Sequence, residues 1–355
     1  MKHAYQIDFL RLVAMLLVFA THSVILLNSG EGATNFYHRY CVYGGYAVEF
    51  FILLSAFLCA YKYDDSCNKG LGTVREFVKK KAIRLFPVHW TCMLAYLPMA
   101  ILMDGQMRTL RAIVPTALLL QSAHRLTVTT INGPSWTISV LFILYFVTPM
   151  AMSWIRRIKT MRTCLMLIAA LLVVEHFQNE WLRSLRPEDT WFFYSAPHSR
   201  ITNYSIGLLS GYTMRQFPLK DYISRYPNLL ETLAAVTVWY TATFCANDFL
   251  PIYSSITFAV AVFFVGKGFL SRFMSLELFR YASSLSFSFY MAHFLFIAST
   301  IYVTDHKFGG TLSVVQCSIM ISTAFVLTII SAIVLHEFIE KRLANHIKQK
   351  MSHEP

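Results

Sequence analysis

Charged residues are scarce in this sequence. Only 14% of its 355 residues carry a charge, whereas about 25% is typical of soluble domains. Apolar residues make up 56%, more than the core of an ordinary soluble domain supplies. The ranges 136–155 and 311–335 contain no charged residue at all. Because a helix crosses a bilayer with about 20 apolar residues, the sequence excludes soluble, fibrous and disordered proteins and indicates an all-α polytopic membrane protein.

Cysteines are also few, and no internal repeat of the transporter kind is visible. The seven cysteines form no pair with the spacing of zinc ligands. Five of them lie in apolar stretches, where Cys acts as a small packing residue: Cys59, Cys92, Cys164, Cys245 and Cys317. We therefore expect neither a disulfide framework nor a metal site. The net charge of +12 fits the Lys and Arg of cytoplasmic loops, so no nucleic-acid partner is expected.

About ten transmembrane helices are predicted. The fifth and sixth are short, and the first is interpreted as a retained span rather than a signal peptide. In chain order the predicted spans are 7–27, 43–61, 83–103, 136–155, 163–177, 201–214, 228–246, 249–266, 281–303 and 311–335.

Basic residues give these spans a direction. The segments on the side of the N-terminus hold 22 Lys and Arg, and the segments on the other side hold 8. Since cytoplasmic loops collect basic residues, both termini are predicted to be cytoplasmic. Residues 104–135 are then external, and the apolar stretch 110–121 is too short to span and lies on or dips into the outer face. One membrane domain over 1–343 and a short cytoplasmic tail over 344–355 are expected.

Arg11 and His22 are ionisable residues inside the first predicted span, and such residues are functional candidates by default. Eleven positions at 100° per residue place both side chains within about 20° of one helix face, about 16 Å apart along the axis. Arg11 then lies near the cytoplasmic mouth, and His22 lies in the outer half. In the alternative interpretation, Arg11 pairs with Asp8 and His22 is a structural hydrogen-bonding residue.

Two further spans carry polar candidates. Glu49, near the outer end of the second span, is either a site residue or a carboxylate exposed at the interface. Ser286, Tyr290 and His293 are spaced i, i+4, i+7 and form one polar stripe, which serves either a site or a helix contact. Glu175 and the adjacent His176, at the outer end of the fifth span, are expected to be solvated.

The segment before the third span is rich in cations. We call four of its residues the basic segment: Lys79, Lys80, Lys81 and Arg84. Positive-inside flanking explains such a cluster. Alternatively, the cations form a phosphate-binding mouth next to a helix start.

Several blocks, in the right order, resemble the membrane acyltransferase family 3, the bacterial integral-membrane O-acyltransferases. The first block consists of a basic residue, ten intervening residues and a His, which correspond here to Arg11 and His22. The others are Phe50-Phe51 with Leu54-Ser55-Ala56, the segment Lys81-Ala82-Ile83-Arg84 with Pro87, Pro134-Ser135-Trp136 with Tyr145 and Pro149, Leu285-Ser286 with Tyr290 and His293, and Phe338-Ile339-Glu340-Lys341. Leu141 stands where many members have a Glu.

The resemblance implies acyl transfer, usually of acetyl, from cytoplasmic acyl-CoA to a hydroxyl of a surface glycan or lipid-linked sugar. It also implies a multi-pass protein of the bacterial plasma (inner) membrane that needs no metal. His22, mostly neutral at pH 7 given the reference pKa of about 6.5 for His, is the expected base. Arg11 and the basic segment would hold the coenzyme A phosphates. Besides His22, the catalytic candidates are Arg11, Glu49, Tyr290 and His293, and any one of Tyr290, Ser286 and His293 would serve chemically as the oxyanion donor.

Other functions remain open from the sequence. A transporter of a glycan precursor or small anion would use the buried Arg and His to bind or relay rather than to react. A membrane sensor or assembly partner would retain the fold without the chemistry. The sequence identifies neither the acceptor sugar nor the transferred acyl group, and it leaves an acyl-His intermediate and a homo-oligomer open.

Overall fold

The computed structural model describes residues 4–24, 43–63, 71–245, 248–309 and 312–342. This part of the chain is helical and contains no strand, so the predicted all-α class is confirmed. Its α-helices are α1 (Tyr5–Ser23), α2 (Gly44–Tyr61), α3 (Leu71–Asp104), α4 (Gln106–Ala117), α5 (Trp136–Ile155), α6 (Met161–Leu185), α7 (Ile201–Gln216), α8 (Leu219–Arg225), α9 (Pro227–Phe244), α10 (Phe249–Val265), α11 (Phe269–Met274), α12 (Glu277–Ser284), α13 (Ser286–Phe308) and α14 (Val314–Val334).

Seven helices in the described ranges are long and apolar enough to cross a membrane. They are α1, α2, most of α3, α5, α6, α13 and α14 with the π-helical turn Leu335–Glu340 that follows it. The other three predicted spans coincide with α7, α9 and α10, which have 16, 18 and 17 residues. The polytopic membrane fold is therefore confirmed, and the count of ten stays a prediction.

Two helices are longer than predicted. α3 begins at Leu71 rather than at residue 83, so the basic segment is helical and does not form a loop. Lys, Arg and Glu are good helix formers, and apolarity alone does not detect a helix that extends into water. For the same reason, α6 continues to Leu185 through polar residues that we predicted to lie outside the span.

The chain divides into two compact units, each built from three stretches of sequence. The first unit comprises Met1–Ala14, Gly45–Val78 and Val140–Ser283, and the second comprises Met15–Gly44, Lys79–Ser139 and Ser284–Pro355. The predicted tail, 344–355, lies outside the described residues. Within the second unit, α4 has 12 residues, too few to span, and its apolar side chains Met107, Leu110 and Val114 are exposed.

In the first unit, α7 packs against α2 through two glycines. A Cβ at Gly207 would collide with the backbone oxygen of Leu53, and one at Gly211 would collide with that of Phe57. The two glycines are four residues apart and form the small-xxx-small pattern that lets membrane helices approach closely. This contact fixes the position of the start of α7 relative to Glu49 on α2.

Candidate functional site

Two histidines from distant parts of the sequence meet in the second unit. His22 lies near the end of α1 and His293 lies in the third turn of α13. Nδ1 of His22 is 3.1 Å from Nε2 of His293, and the ring centroids are 5.2 Å apart. His293 is 1% exposed, whereas His22 is half-buried. The structure therefore brings two predicted site residues into one histidine pair.

Hydrogen-bond geometry places the protons of the histidine pair when both rings are neutral. Nδ1 of His293 is 2.6 Å from the backbone oxygen of Tyr290, and a carbonyl oxygen only accepts, so this nitrogen carries hydrogen. Nε2 of His293 is then an acceptor, and Nδ1 of His22 donates to it. Nε2 of His22 consequently has a lone pair and no hydrogen, which is the state that a general base requires.

Tyr290 anchors the pair from the side of α13. Its backbone oxygen accepts from His293, while its hydroxyl donates to the backbone oxygen of Pro134 over 2.7 Å and lies 3.1 Å from Oγ1 of Thr137. The hydroxyl is thus engaged with the segment that leads into α5. Its role as an oxyanion donor stays a prediction.

Aromatic rings surround the histidine pair. The ring of Phe294 stands edge-on to His22, with centroids 5.3 Å apart, and the ring of Phe289 is stacked on His293 at 6.5 Å. Phe19, on the same helix as His22, lies 6.5 Å from His293. Packed rings of this kind fix the orientation of the imidazoles and favour one geometry of the pair.

Arg11 lies on the same helix as His22, as predicted, and contacts Asp8. Nη1 of Arg11 is 3.4 Å from Oδ1 of Asp8, which is the pairing that the alternative interpretation expected. About a quarter of the Arg11 side chain is exposed. A role in donor binding stays a prediction.

Glu49 belongs to a buried ion pair in the first unit. The idea that it is an exposed interfacial carboxylate is wrong, because Glu49 is 5% exposed and its partner Arg200 is 1% exposed. Nη1 of Arg200 donates to Oε1 of Glu49, and Nδ2 of Asn203 donates to Oε2 over 2.7 Å. The Nε of Arg200 also donates to the backbone oxygen of Tyr194 over 2.7 Å. Glu49 therefore helps to hold α2 and α7 together in this unit.

Sequence reasoning missed Arg200. Burial alone would lower the pKa of its guanidinium, but the charge of Glu49 and the groups of Tyr253, Tyr194 and Glu175 raise the pKa above its ordinary value. Arg200 therefore stays cationic. The sequence did contain a signal for this ion pair. Arg200 directly precedes the sixth predicted span, and Glu49 in the second predicted span had no assigned partner.

Glu175 is a second correction. It was expected to be solvated at the end of the fifth span, yet it is 0% exposed. Because α6 continues for ten residues beyond it, Glu175 faces the interior, and Nδ2 of Asn179 donates to its Oε1 over 3.1 Å. The adjacent His176 is partly exposed and lies 3.5 Å from Asp248.

The basic segment lies on α3 within the second unit, away from the helix start at Leu71. Three of its four cations are exposed, and Lys81 is half-buried. Since the helix begins eight residues before Lys79, the backbone N–H groups of a helix start cannot assist these cations in binding an anion. A phosphate-binding role would therefore depend on the side chains alone.

The model of a family described as an acyltransferase domain (acyltransferase family 3) matches residues 4–337, a range that includes every predicted site residue. No curated protein and no solved structure matches the chain. Within the described ranges, no group of three or more His, Cys, Asp or Glu side chains is arranged to hold a metal ion.

Proposed function

This chain belongs to the membrane acyltransferase family 3, and from that premise we propose a specific transfer reaction. An acyl group, in the simplest case acetyl, moves from cytoplasmic acyl-CoA to a hydroxyl of a cell-surface glycan or lipid-linked sugar. The protein acts in the bacterial plasma (inner) membrane, with both termini cytoplasmic. The observation that carries the proposal is the histidine pair, whose geometry leaves Nε2 of His22 able to take a proton.

In the proposed step, Nε2 of His22 takes the proton of the acceptor hydroxyl as its oxygen attacks the thioester carbonyl. The new C–O bond forms, the C–S bond breaks, and the same proton passes from His22 to the coenzyme A thiolate. His293 supports the imidazolium that forms on His22, because its Nε2 accepts from Nδ1 of His22. Tyr290 supports this arrangement by fixing the tautomer of His293 through its carbonyl, as the carboxylate of a catalytic triad fixes its His.

The donor is proposed to bind through its phosphates on the cytoplasmic side. Exposed cations of the basic segment are suited to phosphate oxygens, and Arg11 is the candidate inside the membrane. The proposal requires no metal, and its partners are the bilayer, the donor and a glycan. Glu49, by contrast, is proposed to be structural, because both of its carboxylate oxygens accept hydrogen bonds from buried side chains.

The test is acetyl transfer measured by mass spectrometry on glycan incubated with membranes that contain the protein and acetyl-CoA. His22→Gln should reduce the rate by about 10²–10⁴-fold, the usual cost of removing a general base, while insertion and acyl-CoA binding persist. His306→Gln is the control, because this His is exposed and bonds a carbonyl one turn earlier on α13, as His293 of the pair does. A normally inserted His22→Gln protein with the parent rate would refute the mechanism.

The transporter of a glycan precursor or small anion is the second candidate. Buried ionisable residues such as Arg200 and Glu49 also occur along transport pathways. The same experiment separates the two, because a transporter would leave the glycan mass unchanged when acetyl-CoA is supplied.

A further inference from the structure

The connection between α4 and α5 in the second unit is partly buried although it has little regular structure, with Leu118, Leu120 and Leu126 exposed. Gln121, Ser122 and Thr130 are each 0% exposed, whereas loops usually run over the surface. Side-chain hydroxyls hold this connection in place: Oγ of Ser139 donates to the backbone oxygen of Leu119 over 2.8 Å and lies 2.7 Å from Oγ of Ser122. The buried residues of the connection therefore form part of the interior of their unit, while the rest of it lies at the surface.

The backbone of this connection is strained at two places. Leu119 and Asn132 have φ values of 56° and 50°, and they are the two residues other than glycine with positive φ in the described part of the chain. Such conformations cost free energy and are concentrated at functional sites. Asn tolerates the left-handed region better than Leu does, so this conformation costs less at Asn132 than at Leu119.

Two amide side chains of this connection are oriented by their own donors. Nδ2 of Asn132 donates to the backbone oxygen of Met291 over 2.9 Å, and Nε2 of Gln121 lies 3.1 Å from Oγ and 3.4 Å from the backbone oxygen of Ser135. Since carbonyl oxygens only accept, the amides cannot be flipped. Oδ1 of Asn132 and Oε1 of Gln121 are then buried acceptors without a hydrogen-bond partner among the described residues. Each such atom requires an explanation.

Asn132 lies beside the turn of α13 that carries His293, one member of the histidine pair. The side chain of Asn132 bonds the backbone oxygen of Met291, which is two residues before His293. Two residues after Asn132, the backbone oxygen of Pro134 accepts a hydrogen bond from the hydroxyl of Tyr290. A Cβ at Gly133 would lie 3.4 Å from the ring of Phe294, which stands edge-on to His22. The corner 132–134 is thus in contact with residues of α13 that flank His293 and surround the histidine pair.

We propose that Gln121 and Asn132 bind the acceptor, with Oε1 and Oδ1 accepting hydrogen bonds from hydroxyls of a polyhydroxylated sugar. The inference rests on the proposed function and adds the acceptor subsite to it. An acceptor-only atom selects a ligand that brings O–H or N–H groups. A thioester brings only acceptors, so this subsite recognises the sugar rather than the reacting end of the donor. The external position predicted for 104–135 agrees, because a surface glycan arrives from outside.

The first test uses full-length protein in detergent, acetyl-CoA, and cell-surface polysaccharide freed of its acetyl groups by mild base. Asn132→Gly keeps the left-handed backbone and removes the amide, and Gln121→Met keeps the length without the acceptor oxygen. Each should raise the acceptor KM about 5-fold, the factor that corresponds to one net hydrogen bond, and leave the acetyl-CoA KM unchanged. Thr130→Val is the matched control, because Thr130 is equally buried and its hydroxyl donates to Leu126 in its own segment.

Folded variants with the parent acceptor KM would overturn the proposal, as would an equal rise in both KM values, which indicates a structural role. A second measurement uses only the parent protein. The deacetylated polysaccharide should raise its melting temperature, and a per-O-methylated form, which has no O–H donors, should not. Equal stabilisation by both forms would contradict the inference even if the variants fail to fold. If the parent protein transfers no acetyl group, the proposed function fails, and this binding measurement still decides the subsite.

Discussion

Removing Arg200 should destabilise the first unit strongly. Arg200→Met keeps much of the side-chain volume but leaves the buried carboxylate of Glu49 without its countercharge, although Nδ2 of Asn203 still donates to Oε2. Loss of one partner from a buried ion pair typically costs about 3–5 kcal/mol. The substitution also removes the hydrogen bond from Nε to the backbone of Tyr194, so we expect the upper part of that range.

The free energy of unfolding can be measured in mixed detergent–SDS micelles by tryptophan fluorescence. The double variant Glu49→Gln/Arg200→Met should lose less than the sum of the two single variants, since contacting residues couple by about 0.5–3 kcal/mol. Arg186→Met is the control, because Arg186 is 58% exposed and lies 4.0 Å from Asp189, a surface pair that contributes about 0–1 kcal/mol. Equal losses from Arg200→Met and Arg186→Met would refute the reasoning.

Two further outcomes are expected. Replacing the four cations of the basic segment with Gln should weaken acyl-CoA binding and reduce the dependence of this binding on salt. Titration of the purified protein with acyl-CoA measures both effects. An unchanged affinity would mean that these cations are topology determinants only. Gly207→Val should lower the free energy of unfolding, measured as above, because the new side chain would collide with the backbone of Leu53. Gly105→Ala is the control for backbone strain alone, because a Cβ at Gly105 meets nothing within 4 Å although its φ is +82°.

The sequence alone predicts the fold class and singles out both histidines as candidates, although not their contact, because apolar length and a rare ionisable residue within a span are both local signals. His22 and His293 stand out in their spans without any knowledge of tertiary structure. Arg200 does not, because its burial depends on a partner 151 positions earlier in the chain. Glu175 was misjudged for a related reason, since polar residues after it hid the continuation of α6.

The acceptor atoms of Gln121 and Asn132 could not have been predicted from the sequence. Both are common polar residues in a segment that was expected to be external, and such residues are normally solvated. Only the positions of Met291 and Ser135 show which way each amide points and which oxygen is left. The basic segment was recognised from its composition, but its helical state was not, because a cluster of cations does not by itself distinguish a helix from a loop.

The buried ion pair also has a consequence for biosynthesis. Glu49 leaves the ribosome 151 residues before Arg200, and at about 5–20 residues per second this interval lasts roughly 8–30 s. During that time α2 carries a carboxyl group without its countercharge, and a lone charge at membrane depth is costly. We therefore expect the second helix to stay beside the insertion machinery until α7 emerges. A chain truncated before residue 200 would never gain this partner, and its unpaired Glu49 carboxylate would distinguish it from the complete protein for membrane proteases.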